Sequence, residues 1–159
     1  MTANAYRFVE HWTIPGFSPQ QVYDVLSEAR LLPEWWTGVY LEATPEDPSA
    51  PPRVGGRARV KARGFLPYVL RMTLEATVLE PAKAVEVRTR GDLDGVWRAT
   101  LSADGTGTRV DIVETVAAQK PLIRFLSPLL KPVFAWNHYW TTPRGEAGLR
   151  AYLTRRHQR

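Results

Sequence analysis

Residues 132–157, PVFAWNHYWTTPRGEAGLRAYLTRRH, read at 3.6 residues per turn as one long amphipathic helix. Phe134, Asn137 and His138, Thr141, Gly145, Gly148 and Leu149, and Tyr152 fall on one stripe, while Arg144, Arg150 and Arg155 fall mostly off it. At ~1.5 Å per residue the helix spans roughly 37 Å, enough to cross a whole face of a small domain. Glycine inside a helix costs about 1 kcal/mol relative to alanine unless packing needs the space. Gly145 and Gly148 on the inward stripe therefore predict a close approach to a sheet. Asn137, His138 and Thr141 put polar atoms where a core helix carries leucine, and a cavity accounts for them better than a filled core. Pro143 predicts a kink between Tyr139 and Thr142.

Working back from the helix, the chain reads as strands. Tyr6, Phe8, Glu10, Trp12 and Ile14 alternate with Arg7, Val9, His11 and Thr13, a first strand with an aromatic face. Ser18-Pro19-Gln20-Gln21 reads as an N-cap with proline at the first helical position, opening a short helix, and a second short helical turn covers Ala29 to Trp36. Val39 to Thr44 follows as a strand, and Pro45 to Val54, with four prolines in ten residues, as an extended loop. Arg57 to Gly64 alternates small apolar residues with four cations. Phe65-Leu66-Pro67 turns the chain into Tyr68 to Glu80, with Leu70, Met72, Leu74, Ala76 and Val78 inward. Lys83 to Arg90 is next, then a turn over Gly91-Asp92-Leu93-Asp94-Gly95. Val96 to Ser102 puts Trp97, Ala99 and Leu101 inward. Asp104-Gly105-Thr106-Gly107 is the clearest hairpin signal, and Thr108 to Ala118 ends the series with Val110, Ile112, Glu114 and Val116 on one face. Strands joined by short turns make an antiparallel sheet whose apolar face needs a cover, and the C-terminal helix is the element long enough to supply it.

Length and charge limit the alternatives. A chain of 159 residues fits one domain, residues 1–159, with no internal repeat. It has no cysteine, and His11, His138 and His157 are too scattered for a metal motif, so neither disulfides nor a metal are expected. No phosphate-binding loop or other cofactor motif is present, and no cofactor is expected. The first residues lack the apolar core of a signal peptide and no stretch approaches eighteen apolar residues, which predicts a cytoplasmic protein. Net charge is +5, yet residues 120–159 hold eight Lys/Arg against Glu146, which leaves the remaining residues with thirteen basic and fifteen acidic. Seventeen of the twenty-one cations are arginines scattered among strands, without the clustering of a nucleic-acid reader, so no nucleic-acid partner is expected.

The order of elements resembles the START/Bet v 1-like helix-grip superfamily (SRPBCC), and within it the polyketide cyclase/dehydrase and lipid-transport group. So do three local patterns: Leu32-Pro33-Glu34-Trp35-Trp36, Pro132-Val133-Phe134-Ala135-Trp136-Asn137-His138, and Arg144-Gly145-Glu146-Ala147-Gly148-Leu149. The resemblance covers nearly the whole chain. It implies an α+β helix-grip fold, with a curved antiparallel sheet of about seven strands around the long C-terminal helix and two short helices after the first strand. It also implies an apolar cavity between sheet and helix that takes a hydrophobic small molecule. Scaffold and activity are separable, so a carrier, an enzyme of the cyclase, aromatase or dehydratase type, and a membrane-surface lipid transfer protein all remain open. The last draws on Arg150, Arg155, Arg156 and Arg159 beside the leucine-rich segment 122–130, which together with Phe65-Leu66 reads as a gate or as plain packing.

Glu10 and Glu114 break the apolar pattern of the first and last strands, which the resemblance makes neighbours. Two carboxylates in one cavity drive one toward protonation unless a cation intervenes, and His138 or a buried arginine is the expected cation. Glu10, Glu114 and His138 are thus the candidate proton-transfer groups, with a surface-facing or ion-paired role as the alternative. With a protonated carboxyl, removing either charge is expected to stabilise the fold at neutral pH. The candidate ligand-binding positions are Trp12, Trp36, Leu70, Met72, Trp97, Ile112, Phe134, Asn137 and Thr141, of which Asn137 is placed to hold a carbonyl oxygen. Six tryptophans suit a flat ligand and equally suit a core.

Overall fold

The computed structural model describes residues 5–64, 69–118 and 121–159, and the side chains of residues 5, 118, 121–131, 133, 134 and 137 lie outside that description. Seven strands form one antiparallel sheet in the spatial order β1-β7-β6-β5-β4-β3-β2. They are β1 Ala5–Ile14, β2 Tyr40–Pro45, β3 Arg57–Ala62, β4 Leu70–Glu80, β5 Ala84–Gly91, β6 Leu93–Asp104 and β7 Gly107–Ala118. Between β1 and β2 come α1 (Pro19–Leu26), a 3₁₀ turn (Ala29–Leu31) and the single turn α2 (Leu32–Trp35), and the chain ends in α3 (Pro121–His157). This is the helix-grip arrangement, and no described helix is long and apolar enough to cross a membrane.

Local chemistry explains the short elements. Ser18 accepts from the Gln21 N–H at 3.2 Å while the Gln21 side chain accepts from the Ser18 N–H at 2.8 Å, a capping box that starts α1 ahead of Pro19. β3 buries Ala58, Val60 and Ala62 and exposes Arg57 and Arg59, as its alternation predicts. In β4 the alternation changes phase. The register against β5 shifts between Ala76 and Val78, and the Thr77 hydroxyl donates to Glu86 Oε1 at 2.9 Å. Beyond that bulge Leu79, rather than Val78, packs on the core. The segment read as a five-residue turn is tighter: Gly91 takes φ +133°, its N–H donates to Asp94, and β6 already begins at Leu93.

The long helix also departs from its reading. It begins at Pro121 rather than near Pro132, and Pro128, Pro132 and Pro143 lie within it. Around Pro143, side chains serve neighbouring carbonyls: Arg144 Nη1 donates to the Trp140 oxygen at 2.7 Å and Trp36 Nε1 to the Thr141 oxygen at 3.0 Å. Gly145 and Gly148 do permit a close approach, but to α2 and Trp12 instead of to sheet backbone. A Cβ on Gly145 meets Trp36 Cε2 at 2.7 Å and Trp12 Cη2 at 2.9 Å, and one on Gly148 runs into the Trp35 carbonyl oxygen. The core beneath α3 is therefore a packed indole group. Trp35 and Trp36 stack with centroids 5.1 Å apart, and Trp12 meets both edge-on. Ile14, Val110, Ile112, Leu149 and Leu153 complete it.

Candidate functional site

Strand pairing brings the two carboxylates together. β1 and β7 are antiparallel neighbours with Phe8 opposite Glu114 and Glu10 opposite Ile112. Glu10 and Glu114 thus sit two residues apart along the β1 register on the same sheet face. His138, on the stretch of α3 that crosses this face, is only 8 % exposed. Its Nε2 lies 3.4 Å from Glu10 Oε2 and its Nδ1 lies 3.5 Å from Glu114 Oε2. The Phe8 ring stacks on the imidazole with centroids 3.9 Å apart and 10° between planes. Thr142, one helical turn after His138, donates to Glu10 Oε1 at 3.1 Å and lies 3.4 Å from His138 Nε2.

Burial is the largest influence on the His138 imidazole and works against its protonation. The hydrogen bonds and charges of Glu10 and Glu114 together outweigh burial and raise the pKa to about 9. At neutral pH the cluster is an imidazolium held by two carboxylates, with the cation supplied by a residue the sequence had singled out.

A cavity of about 190 Å³ is lined by Glu114 and by residues of α2. Trp35, Trp36 and Leu32 roof it, Tyr40, Leu74, Val85, Val87 and Trp97 line it from the sheet, and the proline-rich segment 45–56 forms its rim with the end of α1. It is smaller than the ~300 Å³ at the low end of common ligand pockets, so it suits a compact ligand better than a long chain. Burial, and then the charge of Glu114, push the Tyr40 hydroxyl above its ordinary pKa, so it stays protonated and able to donate. Among the described residues no group of His, Asp and Glu is arranged to hold a metal ion.

The candidate ligand positions divide. Trp36 and Trp97 line the cavity, with Glu114. Trp12 and Ile112, each 1 % exposed, lie in the packed core instead, because α3 and the indoles fill the space above them. Leu70 and Met72 belong to a second apolar cluster with Val60, Ala62 and Leu74. Thr141 faces its own helix, donating to the His138 carbonyl at 3.1 Å. The side chains of Phe134 and Asn137, the leucine-rich segment 122–130 and Phe65-Leu66 lie outside the described side chains. Tyr40, Phe8 and Thr142 were missed as site residues. Thr142 was within reach of a sequence argument, being four residues from His138 on a helix, whereas Tyr40 carries no signal before β2 is placed.

Sequence and fold comparisons each found likenesses. The family model described as "Polyketide cyclase / dehydrase and lipid transport" matches residues 6–142. The structure is similar to TTHA0849 from Thermus thermophilus, with a TM-score of 0.74 at 16 % identity over 94 % of this chain and 97 % of that one. It is also similar to the ZhuI aromatase/cyclase from Streptomyces sp. R1128, with a TM-score of 0.72 at 10 % identity over 96 % and 95 %. A third likeness is to major latex-like protein 151 from Panax ginseng, with a TM-score of 0.63 at 11 % identity over 91 % and 97 %. Identities this low speak to the fold alone. No curated protein matches the chain.

Proposed function

The chain belongs to the polyketide cyclase/dehydrase and lipid-transport family, and on that premise we propose that it binds a hydrophobic small molecule, polyketide-, lipid- or aromatic-like, as a carrier or binding protein. The observation that carries this reading is the cavity itself, walled by aromatic and aliphatic side chains with Glu114 among them and with charged residues of the 3₁₀ turn, β3 and the segment 45–56 also in its lining. Apolar walls supply affinity, and a few placed polar groups supply orientation. The indole N–H groups of Trp35 and Trp97, both on cavity residues, are buried without an acceptor among the described residues. Native mass spectrometry of gently purified protein tests the reading. A retained organic ligand that denaturation releases is the expected result, and failure to retain or rebind any apolar compound overturns it.

A second reading, an enzyme of the cyclase, aromatase or dehydratase type, is favoured by the coupling of Glu114 to His138 next to the neutral Tyr40 hydroxyl. In that reading Glu114 takes a proton from the carbon beside a substrate carbonyl, Tyr40 donates to the resulting enolate oxygen, and the β-hydroxyl leaves with the proton as water. A carboxylate base suits an acidic carbon between two carbonyls. Incubation with a β-hydroxy-carbonyl substrate mimic separates the readings. Turnover that Glu114→Gln abolishes identifies an enzyme, and binding without turnover identifies a carrier.

A further inference from the structure

Among the described residues the acidic pair at Glu114 is matched by a single cation. Glu10 and Glu114 share one cation, His138, and among the described residues neither carboxylate has a second cationic partner within ion-pair distance. The other described group bonded to Glu10 is the neutral Thr142 hydroxyl, and the cavity group that feels the charge of Glu114 is the neutral Tyr40 phenol. Among the described residues the pair thus sets two acidic side chains against one cation. This excess sits in a protein whose overall charge is +5. The two carboxylates also differ in access. The Glu10 side chain is 17 % exposed beneath Thr142, whereas Glu114 is 29 % exposed, and Glu114 is the one that lines the cavity.

The walls beside Glu114 match that charge. Trp97 is its direct cross-strand neighbour in β6, and Tyr40 and Trp36 lie against each other with centroids 5.5 Å apart in the same cavity. Electron-rich ring faces around a partly desolvated carboxylate make a receptor for a cation on an apolar body: the carboxylate pairs with the charge and the rings attract it through their quadrupoles. The arginines that also line the cavity, Arg30, Arg53 and Arg57, form no described ion pair with Glu114, and two of them are engaged elsewhere, Arg30 with Glu28 and Arg57 with Glu75, so beside Glu114 an anionic ligand meets a carboxylate. A neutral ligand leaves the excess unanswered.

We propose that the ligand of this cavity is a compact aromatic or alicyclic molecule bearing a protonated amine, with the ammonium group against Glu114 and the apolar body among Trp36, Tyr40 and Trp97. The proposal rests on the reading of the cavity as a hydrophobic ligand site and narrows the class of ligand. A proton on one carboxyl is the rival way to neutralise the excess, and it predicts no preference for amines.

Three probes of one shape separate these cases: 2-naphthylmethylamine, 2-naphthylmethanol and 2-naphthoate, titrated into the full chain at pH 7 by calorimetry or indole fluorescence. The expected order is amine first, at least tenfold tighter than the alcohol, with the carboxylate weakest. Glu114→Gln is expected to bring the amine down to the level of the alcohol and to leave the alcohol unchanged. If the alcohol binds as tightly as the amine in the unsubstituted protein, the cationic class is wrong while the apolar site stands. If none of the three binds, both the class and the site reading are overturned. The probe order in the unsubstituted protein decides the matter even if Glu114→Gln fails to fold.

Discussion

Replacing His138 by glutamine leaves Glu10 and Glu114 on the same sheet face without the imidazolium that lies 3.4 and 3.5 Å from them. The effect has a defined sign and pH window. The His138 pKa rises from 6.5 in the unfolded chain to about 9 in the fold, so the folded state holds the proton more tightly. The associated stability is fully present below pH 6.5 and is lost as pH rises through 9. At about 1.4 kcal/mol per unit, the shift corresponds to on the order of 3 kcal/mol. Urea unfolding of both proteins at half-unit steps from pH 6 to 10 measures it. The unsubstituted protein is expected to be more stable by roughly this amount at pH 6, with the gap closing through pH 9. Groups that titrate alike in both proteins cancel in the difference. Parallel stability curves across the window would show that the imidazole does not carry its proton between the carboxylates, and the site description would fail with them.

Three further outcomes follow from particular contacts. Gly145→Leu is expected to destabilise by about 1–3 kcal/mol in a thermal melt, because a Cβ there meets Trp36 and Trp12 within 3 Å; unchanged stability would mean that the indoles can move aside. Glu114→Gln is expected to destabilise at pH 7 by about 1–3 kcal/mol, the reverse of the gain expected for two carboxylates without a cation, because it removes a partner of a buried imidazolium; denaturant midpoints at pH 7 decide the sign. Trp36→Phe removes the 3.0 Å bond to the Thr141 carbonyl beside Pro143 and widens the cavity roof, so it is expected to cost about 1–3 kcal/mol while shifting ligand preference toward larger rings. Calorimetry with one- and two-ring probes reads the second effect.

Period-two alternation, the Ser18 N-cap, the Asp104-Gly105 hairpin and the glycine-bearing helical stripe were enough to order the elements, because each is a local property of a few neighbouring residues. Alternation also put Glu10, Glu114 and Trp97 on the inward face, with a surface-facing role left open for the carboxylates, since side chains on a strand alternate faces whatever the partner. It could not say which inward residues meet. Glu10 and Glu114 lie about a hundred positions apart in the chain, and only the β1–β7 register places Phe8 opposite Glu114 and so brings both carboxylates under His138. Local reading likewise missed the slip at Thr77, which turns Leu79 inward, because a bulge is stabilised by its partner strand. The position of the cavity is another tertiary decision. Trp12 and Ile112 face inward as alternation requires, yet α3, seated on α2 through Gly145 and Gly148, closes the space over them and leaves it open beside Trp36, Tyr40 and Trp97. Inwardness is a property of one strand, whereas a void is what remains after every other element has packed.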